Sequence, residues 1–250
     1  MSATRGGARS LWLARPDMSQ AKQLTSGDAI DDRPAFSPDG SQIAFVSGRG
    51  GRQAIWVVSV DGGTPRRIGE AIVLDTLTWS PDGRRIFYAT HGDRLPRLVS
   101  MSVDDGRIEP LEGVSGHAPS WSLSTSRLAY LQVEEPPEIS PRVRITLVIV
   151  EGEQHHRYPI AALPQVFANG LTAWSPDGRR LALLAAQANV RNTIWIFDPD
   201  SLDQFRQIAE LPVTVSVRGI TWNPDGSSII VGQQETKSDI VLLDLASAGR

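Results

Sequence analysis

Apolar residues in this chain fall in short runs of strand length rather than at helical spacing. The runs "AIWVVSV", "PRLVSMSV", "RITLVIV", "TIWIFD" and "DIVLLDL" are rich in Val, Ile and Trp and are bounded by Gly, Pro and Asp. Such runs predict β-strands. No stretch gives a convincing helix, so the pattern predicts an all-β chain.

The runs recur with a period. The heptapeptide "WSPDGRR" stands at Trp79–Arg85 and again at Trp174–Arg180, with relatives "FSPDGSQ" from Phe36, "WSLSTSR" from Trp121 and "WNPDGSS" from Trp222. Aligned on the aromatic, the intervals are 43, 42, 53 and 48 residues. Seven residues after each aromatic comes an aliphatic: Ile43, Ile86, Leu128, Leu181 and Ile229. Each unit reads as four strands. Repeats of this length, too thin to bury a face alone, predict stacked sheets with a shared core.

Turn chemistry explains the conserved-looking core of the heptapeptide. Pro presets φ for the first loop position, Ser or Asn before it can bond the turn backbone, and Gly supplies the left-handed residue that closes a hairpin. All seven Trp fall at unit starts (79, 121, 174, 222) or in third-strand runs (12, 56, 195), which is a packing pattern. The competing reading makes Asp39, Asp82, Asp177 and Asp225 calcium ligands. It requires six to eight oxygens at one point, whereas these residues stand in different units, and "WSLSTS" keeps Trp121 while losing Pro, Asp and Gly.

The hairpin "[FW]SPDG" followed by runs such as "IWVVSVDGGTPRRI" resembles the TolB-like propeller repeats, also called PD40 or WD40-like repeats. The resemblance covers nearly the whole chain. It implies a β-propeller of four-stranded blades, six-bladed, with incomplete first and last blades. The expected layout is a single domain over 1–250. A partial blade covers 1–28, blades cover about 33–70, 76–113, 118–161 and 171–211, and a partial blade covers 218–247. The N-terminal segment matches a blade lacking its first two strands, and the C-terminal one lacks its fourth. The chain is therefore expected to be a segment of a longer propeller protein, with dimerisation as one route to closure if the ring is otherwise open.

Composition narrows the partners. With 25 Lys and Arg against 28 Asp and Glu, the formal net charge is −3. That gives no basic surface for nucleic acid. No apolar run reaches the roughly 20 residues of a membrane helix, so no membrane insertion is expected. There is no cysteine, which excludes disulfides and thiolate metal sites. The N-terminal apolar patch is too short for a secretory signal of about 7–15 residues. The compartment stays open: periplasmic for an exported TolB-like protein, otherwise cytoplasmic.

No nucleophile elbow, H-E-x-x-H pair or phosphate loop occurs, so neither enzyme activity nor a cofactor is expected within these residues. His155 and His156 are adjacent and face opposite sides of a strand. In propeller geometry the blade-to-blade loops and the loops between second and third strands crowd one rim around the channel mouth. Residues just before the innermost strands line it: Asp31, Asp32, Arg33, Asp75, His117, Asn169 and Arg218. The insertion "QVEEPPEISPR" at 132–142 adds Glu134, Glu135, Glu138 and Arg142 as a second candidate binding element. The sequence thus points to a non-catalytic module that binds a protein or peptide at its mouth. Two alternatives stand beside it. One is a substrate-gating propeller for a prolyl-oligopeptidase-type domain outside this chain, the other a sensor propeller of a bacterial kinase or transcription regulator.

Overall fold

A computed structural model describes residues 2–5, 8–15, 19–134, 144–160, 171–186, 192–201, 204–212, 216–234 and 238–244. These residues contain strands and turns and no helix. Every strand pairing is antiparallel between chain neighbours, which gives six successive units. The first holds β1 (Ser2–Arg5), β2 (Ala8–Leu13) and β3 (Lys22–Gln23). The second holds β4 (Asp31–Phe36), β5 (Gln42–Ser47), β6 (Ala54–Ser59) and β7 (Arg66–Glu70).

The third and fourth units share one long strand. The third holds β8 (Leu77–Trp79), β9 (Arg85–Thr90), β10 (Arg97–Ser102) and the start of β11 (Ile108–Ser122); the fourth holds the rest of β11 with β12 (Arg127–Glu134), β13 (Arg144–Glu151) and β14 (Gln154–Pro159). β11 pairs with β10 through its first half and with β12 through its second. The fifth unit comprises β15 (Leu171–Trp174), β16 (Leu181–Ala186), β17 (Asn192–Phe197) and β18 (Phe205–Leu211). The sixth comprises β19 (Ser216–Trp222), β20 (Ser228–Gln234) and β21 (Ser238–Asp244).

This is the blade order of a β-propeller. The apolar runs are continuous because both faces of each blade are covered. In β5, Ile43 and Phe45 pack towards the first unit with Leu11, Leu24 and Val58. Their pleat neighbours Ala44 and Val46 pack towards the third, with Trp79, Ile86, Tyr88 and Met101. The same split recurs further on: Ala129 and Leu131 pack with Trp174 and Leu181, while Ala182 and Leu184 pack with Trp222 and Ile229. Each large side chain buried this way contributes about 1.5–3 kcal/mol.

The unit-start aromatics lock neighbouring blades. Indole N–H groups donate to a carbonyl on the preceding inner strand: Trp79 to Ala35 at 3.0 Å, Trp174 to Ser120 at 3.0 Å, Trp222 to Ala173 at 2.9 Å. Trp121 departs from the rule. Its Nε1 is buried without a partner, its ring stands edge-on to Phe87 at 5.5 Å, and its backbone N–H is tied to Thr78 Oγ1 at 3.1 Å instead.

The hairpin turns stack as well. Gly40, Gly83, Gly178 and Gly226 all sit at φ 70°. A Cβ on Gly178 would lie 2.5 Å from Ser122 Oγ and 2.6 Å from Ser124 Oγ and Thr125 Cγ2, in the turn of the preceding unit. Gly83 and Gly226 each face the Pro of the preceding turn, Pro38 and Pro176, at 3.7 Å from the Cβ position. The heptapeptide repeats because consecutive copies are built to lie against one another.

One expectation needs adjusting. The first unit has three strands rather than two, because Ser2–Arg5 pairs with Ala8–Leu11. "SATR" carries no apolar alternation, so its hydrogen bonding leaves no pattern in the sequence.

Candidate functional site

Two levels of the inner strands carry polar groups, one at each end. At the turn end each Asp serves its own hairpin. Ser37, Ser80 and Ser175 donate hydroxyls to Asp39, Asp82 and Asp177 Oδ1, each at 2.6 Å, and Asn223 donates to Asp225 at 3.0 Å. These bonds favour the charged carboxylate. Asp39 is held down to about 2 by the hydroxyls of Ser37 and Ser41. Asp82 and Asp177 are lowered chiefly by their Ser, and Asp225 by Ser227. The carboxylates point into four separate turns, which accounts for them as hairpin closures. Among the described residues no group of three or more His, Asp or Glu is arranged to hold a metal ion.

At the other end the inner strands begin with a bulge. Register shifts fall between Asp32 and Ala35, between His117 and Ser120, and between Val217 and Gly219. Arg33 and Ala118 take the left-handed conformation there, each at φ 53° and each followed by a proline. Pro tolerates a bulge because no ladder donor is needed, and it disfavours the right-handed helical region at the residue before it. Left-handed non-glycine residues cost on the order of 1–3 kcal/mol each, so their surroundings must hold them.

Neighbouring side chains do so. The Arg33 N–H donates to Asp32 Oδ1 at 2.9 Å, and the Arg33 guanidinium reaches the next unit to donate to Leu74 O at 3.1 Å. Asp75 accepts Thr76 N–H through Oδ1 at 2.7 Å and the N–H of Ala118 through Oδ2. The Ala118 carbonyl then accepts Thr172 Oγ1 from the fifth unit at 2.7 Å. A chain of hydrogen bonds thus links three consecutive blades at the level of the mouth.

The structure brings some of the expected mouth residues together. Asp75 Oδ2 lies 3.6 Å from His117 Nδ1, both side chains being 3% exposed, and both His117 ring nitrogens are without a hydrogen-bond partner. Asp32 pairs with Arg9 at 2.6 Å. Asp31 pairs with Arg49, whose Nε also donates to Ser47 Oγ at 3.2 Å. The Arg49 guanidinium lies 5.4 Å from the Phe45 ring centre and 5.5 Å from that of Trp56. Arg218 is exposed at the corresponding bulge of the sixth unit.

Asn169 lies outside the described residues, as do Glu135, Glu138 and Arg142 of the insertion. Glu134 ends β12, half-buried, opposite Arg144 on β13. His155 and His156 are exposed on β14.

Sequence reasoning missed Arg9, Arg49 and Thr172. Arg49 follows a second strand, the position that places a loop on this rim, and that placement could have found it. Arg9 and Thr172 act through contacts with other units, and nothing in their own neighbourhood marks them.

The comparisons with known proteins agree with this architecture. The family model described as the tricorn protease N-terminal beta propeller domain matches residues 7–141, and the chain belongs to that family. An uncharacterized protein of Agrobacterium fabrum, Atu1656, is 31% identical over 130 residues, covering 46% of this chain and 44% of that protein. The chain thus spans less than half the length of that curated relative. The structure of TolB from Acinetobacter baumannii superposes with a TM-score of 0.74 at 18% identity, over 99% of this chain and 61% of that one. A structure of a nidogen/laminin complex superposes with a TM-score of 0.70 at 13% identity, over 99% of this chain and 89% of that one. The chain is a TolB-like β-propeller.

Proposed function

We propose that this chain is a non-catalytic binding module whose channel mouth takes a protein or peptide. The observation that carries the reading is the strained, cross-braced mouth. Arg33 and Ala118 are held left-handed by Asp32 and Asp75, beside a buried His117 with open hydrogen-bonding capacity. Strain of this kind points to positions where geometry is worth its energetic cost. The mixed charges of Asp32, Arg33, Asp75 and Arg218 suit a zwitterionic peptide rather than a polyanion. The nidogen/laminin neighbour, solved as a protein complex, uses the same fold.

A second reading is supported by the family itself: its model describes the propeller of a protease. Under that reading the mouth would admit peptides to a peptidase domain outside these residues. Both readings place peptide contact at the same rim.

The test is to pan a random-peptide display library against the chain and titrate the best peptide against wild type and Arg218→Glu. Arg218 is exposed, and its reversal should weaken binding about tenfold, roughly 1.4 kcal/mol, with the melting temperature of both proteins measured alongside. A peptide that binds both proteins equally would count against the mouth.

A further inference from the structure

The chain has six Asp–Gly steps, at 39–40, 61–62, 82–83, 105–106, 177–178 and 225–226. At such a step the backbone nitrogen can attack the side-chain carboxyl before it, because glycine puts no Cβ in the way. Five of the six carboxylates are held back from that reaction. Asp39, Asp82, Asp105, Asp177 and Asp225 each accept the N–H of the residue two places on, at 2.8–3.1 Å. Each also bonds a neighbouring Ser hydroxyl. These bonds pin the side chain and favour its charged form, whereas the protonated carboxyl is the better electrophile.

Asp61 is the exception. Ser59, Val60, Asp61 and Gly62 make the same turn as Ser37 to Gly40, with the Gly62 N–H donating to Ser59 O at 2.9 Å. Here, however, Ser59 Oγ accepts the Asp61 N–H at 3.1 Å. The exposed Asp61 carboxylate has no hydrogen-bond partner among the described residues. A second contact acts on the nucleophile. Lys22 Nζ reaches from the first unit and donates to Asp61 O at 2.6 Å. That carbonyl belongs to the peptide group whose nitrogen is Gly62 N. A cation on the oxygen stabilises the negative charge that develops there as the N–H is lost, so the attacking form of the nitrogen is easier to reach.

We propose that Asp61 is a site of covalent self-modification, isomerising to isoaspartate through a cyclic imide. The Gly62 nitrogen bonds to Asp61 Cγ, and its proton leaves with the carboxyl hydroxyl as water. Water then opens the ring at the Asp61 main-chain carbonyl carbon and breaks the original Asp61–Gly62 bond. The main chain now runs through Cβ and Cγ, the former main-chain carbonyl is a free carboxylate, and the mass is unchanged. No other reactant is needed. The hairpin between β6 and β7 gains one backbone atom, at the turn end of the second blade. This site is separate from the mouth.

The 250-residue chain is incubated at mildly acidic pH and sampled over time. Tryptic peptides are then separated and fragmented so that isoaspartate is told from aspartate at each position. Peptide 53–66 has Asp61 as its one acidic residue. It should accumulate isoaspartate about tenfold or more faster than any of the five pinned steps. Lys22 is exposed, so Lys22→Met should fold as the wild type does, and it should slow the reaction at Asp61 about tenfold. In urea, with the turns melted, the six rates should converge. Equal rates at all six steps in the folded chain would overturn the proposal. So would an Asp61 rate that Lys22→Met leaves unchanged, or the same ranking of the six steps in urea.

Discussion

The indole N–H of Trp79 donates to the carbonyl of Ala35 at 3.0 Å, from the inner strand of one blade to that of the blade before it. The same bond recurs at Trp174 and Trp222 and is missing at Trp121. Each such Trp acts as a donor across a junction as well as an apolar filler, so a change that keeps the ring but removes the donor is informative.

Trp79→Phe should cost about 0.5–1.5 kcal/mol, because it removes the hydrogen bond that ties the indole to Ala35 O. Trp121→Phe removes a buried N–H that has no acceptor and should cost less. Thermal or urea melts of the two variants give the comparison. Equal losses would mean that ring volume alone matters at these positions.

Gly178 and Gly40 share φ 70° but differ in what surrounds them. A Cβ at Gly40 meets nothing within 4 Å, while one at Gly178 collides with Ser122, Ser124 and Thr125. Gly40→Ala should therefore cost only the left-handed strain, about 1–2 kcal/mol, and Gly178→Ala distinctly more. Chemical denaturation of both isolates the contribution of turn stacking.

The hairpin carboxylates set the acid behaviour. Asp39 is lowered from an ordinary 3.8 to about 2 by its hydroxyl partners, and Asp82, Asp177 and Asp225 are lowered in the same sense. A depressed carboxylate pKa means that the unfolded chain binds more protons between about pH 4 and 2. Stability from these turns is thus present above pH 4 and is lost as the pH falls through that window. Asp39→Asn should flatten this part of the stability profile, as read by melts at stepped pH. An unchanged profile would remove the turn from the account.

Arg33 carries a contact within the fold as well as its place in the mouth. Its guanidinium donates to Leu74 O in the next blade, so Arg33→Glu should lower stability by about 1 kcal/mol in addition to any effect on binding. Melting temperature and peptide affinity, measured together on Arg33→Glu and Arg218→Glu, distinguish the two contributions.

The blades were legible in the sequence because each carries the same turn chemistry at its inner hairpin and the same aliphatic seven residues after the aromatic. That frame set Asp75 and His117 at equivalent places in neighbouring units, and the structure brings their side chains within 3.6 Å of one another. Partners across blades were not legible. Phe36 reads like the other unit-start aromatics, yet it is exposed, with no inner strand lying over it among the described residues. Trp121 reads like a junction donor, but its indole leans on Phe87 instead. Asp31 reads like a mouth residue, and nothing in the repeat shows that Arg49, held against Phe45 and Trp56, pairs with it. In each case the deciding neighbour stands far away in the sequence or lies outside the repeat motif.

The central claim is that partner contact occurs at the mouth rather than at the turn end. Amide hydrogen exchange of the chain, with and without a peptide selected against it, tests this directly. The account predicts slowed exchange in residues 31–33, 74–76, 117–118 and 217–219, with the turns at 37–41, 80–84 and 175–179 unchanged. Protection confined to the turns, or to the outer strand β14, would contradict it.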